Sequence, residues 1–375
     1  MASLRAVLQS LLAVAGASGI GGGEVFGRSP LLPSGPIVLG YQDWGACDAA
    51  DTLRAVEGGV NVVVWFAVDL AKNKSSSRPL VQSGPSYDCV AHVRAAIEAK
   101  NLTAAHLIAI GGWNAPHPDT SFTGEEWFAA WDSWNRALPR PFDGFDWDLE
   151  GHDNPAAATN EFAPEVLQLM VDMSVAAKRR GLVVTMVPAE SYLDVTSSSF
   201  NRSLRFAYAD WHPEFRYHGM NCYAYVLAAA PPGTFDLVIV QLYESYSRAG
   251  QALHQRGVPG ADHLRSWIPT LLAGWNVSFG DPRLPLRGWR EVRVRPDQLV
   301  VGLSFGSADG SGKSAFFSPR SCGQAYAALG LPQRPRGFGF WNIRMEGSAA
   351  NGTSTRVTFA TELNSFLRVR ESLLV

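Results

Sequence analysis

One stretch of sequence decides the fold of this chain: Phe142-Asp143-Gly144-Phe145-Asp146-Trp147-Asp148-Leu149-Glu150-Gly151. Side chains on a β-strand point alternately to its two faces, so Asp146, Asp148 and Glu150 share one face. The aromatic and aliphatic residues between them share the other. This pattern predicts a strand whose apolar face packs against helices and whose acidic face points toward the axis of a barrel.

Seven further runs of β-branched or aliphatic residues alternate with helical stretches, as expected for parallel strands joined by crossover helices. Most are nearly continuous in apolar residues, as strands buried on both faces are. With the acidic strand they make eight βα units, so the sequence predicts an α/β fold, a (β/α)8 TIM barrel, as a single domain over residues 36–370. The eight runs are 37–41, 60–68, 106–111, 143–150, 182–187, 235–243, 298–305 and 336–343.

The composition excludes several classes of protein. Of 375 residues, 46% are hydrophobic and 18% are charged, which is enough apolar material for a large core. Thirty-four acidic residues against 32 basic ones give a net charge of −2, so no overall field attracts nucleic acid. No apolar run after the N-terminus reaches the ~18 residues of a membrane span.

The N-terminus has the layout of a secretory signal peptide. Arg5 precedes the apolar run 6–15, and small residues follow it, with an A-x-A cleavage site after Ala17. The alternative is a first helix of the domain. We expect a signal peptide over residues 1–17, a Gly/Pro-rich leader over 18–35 and a secreted, extracellular protein. Five N-x-S/T sequons are predicted glycosylation sites: Asn73, Asn101, Asn201, Asn276 and Asn351.

The four cysteines have no CxxC spacing, which gives no support for a metal site. In an exported protein they favour two disulfides, for which three pairings exist. The favoured pairing joins Cys47 to Cys89 and Cys222 to Cys322, and buried thiols are the alternative.

Helices between the strands are predicted from capping and periodicity. Thr123 and Glu126 form a capping box before three tryptophans at helical spacing, which are expected to pack on the barrel. A helix over 260–273 contains Pro269, at which a kink is expected. The arginine-rich stretch 283–295 is expected to be a solvated loop.

Three carboxyls on one buried face cannot all ionise cheaply, so at least one pKa is expected to be raised. Glu150 comes last and therefore lies nearest the C-terminal mouth of the barrel, where barrel enzymes hold their reactive groups. A carboxyl with a raised pKa is suited to protonating a leaving-group oxygen. A calcium loop starting at Asp146 would need an acid where Ala157 stands. A purely structural acidic cluster is the other alternative.

The pattern D-x-x-D-x-D-x-E on the fourth strand resembles that of glycoside hydrolase family 18, the chitinases and their relatives. It consists here of Asp143, Asp146, Asp148 and Glu150. Three further matches support the resemblance: the stretch 109–112 is similar to the S-x-G-G of the third strand, Gln241-Leu242-Tyr243 to the Q-x-Y of the plant-type branch, and Trp341 to the eighth-strand Trp. Two residues depart from the family pattern: Ala109 stands in place of Ser, and Glu244 in place of Asp or Asn.

The resemblance implies substrate-assisted catalysis. Glu150 would be the acid and later the base, while Asp148 would orient an N-acetyl group whose oxygen attacks the anomeric carbon. Asp146 would tune Asp148, and Tyr243 would hydrogen-bond the acetamido group. Four residues are expected to bind substrate: Trp341, Gln241, Tyr41 and Asp143. Further candidates for the mouth are Trp44, Trp65, Trp113 and Tyr192, each with a place in the core as the favoured alternative, and Glu190 is a candidate second carboxylate there.

The sequence thus predicts a secreted, retaining hydrolase of β-1,4-linked N-acetylglucosamine, as chitin or its oligosaccharides. It is expected to need no cofactor or metal and to act as a monomer without nucleic-acid or membrane partners. Two alternatives stay open: an endo-β-N-acetylglucosaminidase acting on N-glycans, and a lectin on the same barrel that binds sugar without cutting it.

Overall fold

A computed structural model describes residues 24–154, 156–204, 220–244, 247–306, 314–350, 354 and 356–368. The predicted signal peptide, residues 1–17, the first part of the leader and the sequon at Asn351 lie outside these ranges.

Eight parallel strands close into a barrel, in which the first strand pairs with both the second and the last. Each falls within or beside one of the eight predicted runs, which confirms the TIM barrel. The barrel strands are β1 (Ile37–Tyr41), β2 (Val62–Lys72), β4 (Ala105–Gly112), β5 (Gly144–Leu149), β6 (Val183–Met186), β7 (Leu237–Gln241), β10 (Leu299–Ser304) and β11 (Gly337–Trp341). Outside the barrel, β3 (Pro79–Ser83) pairs antiparallel with β2, and β8 (Trp275–Phe279) pairs antiparallel with β9 (Gly288–Val292).

Helices connect the strands around the outside of the barrel. They are α1 (Ala49–Gly58), α2 (Tyr87–Ala99), α3 (Gly124–Arg136), α4 (Pro164–Arg179), α5 (Cys222–Ala229), α6 (Arg248–Gly250), α7 (Gly260–Ala273), α8 (Pro319–Ala328) and α9 (Phe359–Arg368). A short 3-10 helix, Glu190–Leu193, follows β6, and a π-helical turn, Gln251–Gln255, continues α6.

The core has two layers. Inward-facing side chains of the strands, among them Leu39, Val64 and Ile239, fill the barrel, and a larger cluster lies between the strands and the helices. Trp127 and Trp131 of α3 are fully buried in the outer cluster, as their helical spacing predicts. The apolar face of β5 therefore points to helices and its acidic face to the barrel axis.

Local sequence accounts for where the helices begin. The hydroxyl of Thr123 accepts a hydrogen bond from the backbone N–H of Glu126, whose carboxylate accepts one from the N–H of Thr123, so the predicted capping box is present. Helix α7 spans the predicted range, with Pro269 inside it.

Part of the expected leader closes the N-terminal end of the barrel. Leu32 is buried in the inner cluster, and the N–H of Ser29 donates to Asp236 at 2.8 Å. Asp236 also accepts two hydrogen bonds from Lys178, in an ion pair that is almost fully buried. Ser29 and Leu32, which lie in the expected leader, are thus packed on the barrel.

The sequence predicts a loop for the arginine-rich stretch 283–295, but the structure forms a strand within it. Its middle, residues 288–292, forms β9, and Arg290 on this strand is exposed. The prediction of a solvated surface is correct, whereas the prediction of irregular backbone is wrong. The hairpin was missed because an edge strand exposed along most of its length has no alternation of apolar and polar residues.

The predicted disulfide between Cys47 and Cys89 is present, with an S–S distance of 2.06 Å. The predicted pairing of Cys222 with Cys322 is wrong. Cys222 begins α5 and Cys322 lies in α8, on different flanks of the barrel, and burial raises the pKa of both thiols. Both are buried thiols rather than halves of a disulfide, which is the alternative that the sequence left open.

None of the helices described is long and apolar enough to cross a membrane.

Replacing Cys47 and Cys89 together by Ala is expected to lower the free energy of unfolding by about 2–4 kcal/mol, because the bond restricts the unfolded chain between them. Urea denaturation with and without reductant measures this. Reductant should destabilise the native protein to the level of the variant and leave the variant unchanged. A variant that is still destabilised by reductant would show a second disulfide and contradict the structure.

Candidate active site

Three carboxyls form a column along the inner face of β5. Asp146 is 0% exposed and Asp148 is 4% exposed, while Glu150, one residue beyond the strand, is partly exposed. Because the strands run parallel, their C-terminal ends meet at one rim, and Glu150 lies at this mouth. We call these three residues the acid column.

Asp146, at the bottom of the acid column, is held by two hydroxyls. Tyr41 at the end of β1 donates to one carboxylate oxygen at 2.8 Å, and Thr185 of β6 donates to the other. Burial nevertheless raises the pKa of Asp146 to about 7. Ala109, which departs from the resembled pattern, is the neighbour of Asp146 in the register of β4 and β5 and adds no further donor.

The upper two carboxyls act as one titrating pair. Asp148 and Glu150 share a hydrogen bond, and burial with the neighbouring acids raises the pKa of Asp148 well above its usual value. Burial raises the pKa of Glu150 as well. The side-chain amide of Gln241 donates to Asp148 at 3.0 Å and to Glu150 at 3.4 Å, and it also donates to the carbonyl of Val187. The pair therefore holds its shared proton to a higher pH than two exposed carboxyls would.

Tyr243, two residues beyond Gln241, completes the predicted catalytic set. Its pKa is raised well above the usual value by burial and by the charges of all three acids in the column, so its hydroxyl keeps its proton and is a hydrogen-bond donor.

Two residues that the sequence did not single out fix the backbone that holds Glu150. The hydroxyl of Tyr223, on α5, accepts from the N–H of Leu149 at 2.7 Å and donates to its carbonyl at 3.1 Å. The ring of His117 lies 2.9 Å from the carbonyl of Glu150 through Nε2, and burial lowers the pKa of His117 to about 4. The end of β5 is therefore anchored from both sides.

Aromatic rings form one wall of the mouth. Trp341, at the end of β11, is partly exposed and lies 4.8 Å from Phe66 and 6.1 Å from Tyr41, measured between ring centroids. Trp44 packs edge-on against Phe66 at 4.4 Å and is 48% exposed. Non-proline cis peptide bonds occur at Phe66–Ala67 and Trp341–Asn342.

A second pair of carboxyls lies beside the mouth. Glu244 accepts hydrogen bonds from the N–H and hydroxyl of Ser191, and Glu190 accepts one from the N–H of Ala249 at 2.9 Å. Burial raises the pKa of Glu190 to about 8, and burial together with the charge of Glu190 raises that of Glu244 well above its usual value. Glu244, one of the two departures from the resembled pattern, therefore connects the segment after β7 to the 3-10 helix after β6 through its hydrogen bonds with Ser191.

Asp143 does not join the site. It precedes β5, at the end of the strand opposite to the mouth, where it accepts from the N–H of His106 at 2.7 Å and pairs with Arg94 at 3.4 Å. Its predicted role in binding substrate is wrong, because seven residues of extended chain separate it from Glu150, or roughly 23 Å.

Four other candidates for the mouth are buried in the structure. Tyr41 and Gln241 are both almost fully buried and direct their polar groups at the acid column. Trp65 is fully buried in the outer core and donates to His106, and Tyr192 is stacked on Tyr223 inside the core. Their positions near strand ends did not reveal which way the side chains point.

Of the further candidates, Trp44 and Trp113 do lie at the mouth. Trp113 follows β4 and donates from its indole nitrogen to Asp153 at 3.0 Å. Thr185, Tyr223 and His117 could not be found from sequence, since each is distant in the chain from the acid it supports.

The chain was compared with family models, with curated proteins and with solved structures. No family model and no curated protein matches the chain. Similar solved structures include a GH18 chitinase from Pseudoalteromonas aurantia, with 12% identity, a TM-score of 0.46, and coverage of 82% of this chain and 93% of that one. A chitinase from Chromobacterium violaceum has 11% identity, a TM-score of 0.49 and coverage of 89% and 100%. A xylanase and α-amylase inhibitor from Scadoxus multiflorus has 14% identity, a TM-score of 0.49 and coverage of 88% and 99%.

Glu190 offers a test of the buried carboxyls. Folding raises its pKa to about 8, so between about pH 4.5 and pH 8 the folded chain binds more protons than the unfolded chain, and the free energy of unfolding falls as the pH rises. Glu190→Gln has no proton to lose there, and its free energy of unfolding should fall less between pH 5 and pH 8 in urea denaturation.

The exposed Glu57, paired with Lys100 on the surface, supplies the matched control. Glu57→Gln should keep the pH dependence of the native protein. If Glu190→Gln also keeps it, Glu190 is already ionised in the folded chain, and the description of this pair is wrong.

Proposed function

We propose that the protein is a secreted, retaining glycoside hydrolase that cleaves β-1,4-linked N-acetylglucosamine, as chitin or its oligosaccharides, by substrate-assisted catalysis. The single observation on which this depends is the position of Glu150. It stands at the exposed end of a buried carboxyl column and shares a hydrogen bond with Asp148, whose pKa is raised by burial and by the charges of Glu150 and Asp146.

In the first step, a protonated Glu150 donates its proton to the glycosidic oxygen as the bond to the anomeric carbon breaks. The acetamido oxygen of the same sugar attacks that carbon and forms a cyclic oxazolinium ion. Asp148 orients the acetamido N–H and stabilises the positive charge, and Tyr243 donates to the acetamido oxygen. The protein needs no nucleophile of its own, which is an exception to the usual pair of carboxylates.

In the second step, Glu150, now a carboxylate, takes a proton from water, and the water oxygen opens the oxazolinium ring at the anomeric carbon. The sugar is released with its configuration retained, and Glu150 is protonated again. Asp146 has no contact with substrate in this scheme. It accepts hydrogen bonds from Tyr41 and Thr185 and adds its charge to those acting on Asp148, which makes it a positioning residue.

The partly exposed ring of Trp341 supplies a floor for the sugar at the site of cleavage. An aromatic face packs well against the C–H surface of a pyranose ring. Phe66 and Tyr41 support Trp341 from behind, which fixes its orientation. Substrate contact at this wall is thus assigned to Trp341 and Trp44 rather than to Tyr41.

Export of the chain is part of the proposal. It is supported by the sequence of residues 1–17 and by the Cys47–Cys89 disulfide, since such bonds persist in oxidising compartments. Asn101, Asn201 and Asn276 are exposed, and Asn73 is partly exposed, so each can be reached for glycosylation.

The proposal predicts the effect of removing the acid. Glu150→Gln should lower kcat on chitotetraose by at least about 100-fold, because a general acid contributes on that scale. Product release is followed by chromatography over pH 3 to 8, with Glu57→Gln as a control that keeps full activity. A native protein that binds the oligomers without cutting them would be a lectin, and one that trims glycoproteins only would be an endo-β-N-acetylglucosaminidase.

The substrate-assisted route predicts a strict need for the acetamido group. Cellotetraose has the same β-1,4 linkage but carries a hydroxyl in that position, so it should not be cleaved measurably. Proton NMR of the chitotetraose reaction should show the β-anomer as the first product. Cleavage of cellotetraose at a comparable rate, or release of the α-anomer first, would contradict this route.

A further inference from the structure

A second pocket lies outside the barrel, between the segment 198–203 and the β8–β9 hairpin. Its volume is about 600 Å³, which is within the range of pockets that hold small molecules. None of its lining residues belongs to the acid column or to the aromatic wall of the mouth.

The two walls of this pocket are joined and held. The N–H of Ser278 on β8 donates to the carbonyl of Ser198 at 2.9 Å. At the base, Arg202 is 10% exposed and pairs with Asp281 and Glu161, each at 2.8 Å. Phe200 packs edge-on against Phe279 behind the wall. The shape of the pocket is therefore set before any ligand binds.

Its chemistry favours a neutral, hydroxyl-rich ligand. The guanidinium of Arg202 pairs with Glu161 and Asp281, and Asp281 also pairs with Arg283, so these two positive and two negative charges balance and the pocket offers no unpaired charge to a ligand. Four serine hydroxyls have no hydrogen-bond partner within the described part of the chain, and all four can both donate and accept. They belong to Ser198, Ser199, Ser203 and Ser278.

An exposed aromatic ring stands at the rim. Trp289 on β9 is directly opposite Ser278 in the hairpin register, and 61% of its surface is exposed. A large apolar ring beside a set of hydroxyls provides both contacts that a sugar ring needs: a flat surface for its C–H face and hydrogen bonds for its edge.

We infer that this pocket is a second carbohydrate site, where Trp289 stacks on an N-acetylglucosamine oligosaccharide and the serine hydroxyls bond its edge. That the ligand is a neutral sugar follows from the pocket; which sugar it is rests on the proposed function. The site binds without cutting, because the carboxylates of Glu161 and Asp281 are paired with Arg202.

Isothermal titration of chitotriose into the full chain tests this inference. The Glu150→Gln variant is used so that the ligand stays intact, and the protein is made in a bacterial periplasm so that no N-linked sugar on Asn201 fills the pocket. Two binding events are expected. Trp289→Ala should weaken one of them by about tenfold or more and leave the other unchanged, in line with the loss of one aromatic contact.

Arg290→Ala is the matched control, since Arg290 is exposed on the same strand and is not part of the pocket. It should keep both binding events. Trp341→Ala should remove the event at the mouth only. If the hydrolase proposal fails, the event sensitive to Trp289 is still expected, with cellotriose as the alternative probe. The inference is overturned if Trp289→Ala binds both sugars as the parent does, or if Arg290→Ala causes the same loss.

Discussion

The structure of the site depends on one constraint: three carboxyl groups lie on and just beyond a single strand of a closed barrel. Like charges at that spacing and in that surrounding cannot all form, so the acid column retains protons that exposed carboxyls lose. The hydroxyls of Tyr41 and Thr185 stabilise Asp146 below, and the amide of Gln241 bonds the pair above. These partners come from β1, β6 and β7, so only the closed barrel brings them together.

The three side chains of the acid column differ in their exposure to solvent, and this difference decides which of them can exchange a proton with a substrate. Asp146 has no access to solvent and Glu150 reaches the mouth, so proton exchange with a substrate is open to the last residue alone. Tyr223 and His117 hold the backbone beside Glu150 and thus set where its side chain begins. Small errors in that position are costly for a general acid, which has to reach one particular oxygen.

Much of the barrel could be predicted from sequence, because a strand buried on both faces is a nearly continuous apolar run with helices on either side. The shared face of the acids on β5 was also predicted from local sequence, since side chains alternate along a strand. Contacts between residues distant in the chain could not be predicted in this way. The packing of several strands decides which hydroxyls donate to Asp146 and which way Tyr41 and Gln241 point. It also decides whether Cys222 and Cys322 can meet. Asp143 was misplaced because the motif gives spacing along the strand but not distance from the mouth.

The central claim, that the acid column holds protons near neutral pH, can be tested by carbon-13 NMR of the side-chain carboxyls. The native protein is labelled at Asp and Glu, and the signals are assigned with Asp146→Asn, Asp148→Asn and Glu150→Gln. We expect Asp146 to titrate near pH 7 and the coupled pair of Asp148 and Glu150 to lose its last proton at a higher pH than exposed carboxyls do. If all three carboxyls titrate near pH 4, as exposed ones do, the acid column is ionised throughout and the account is wrong.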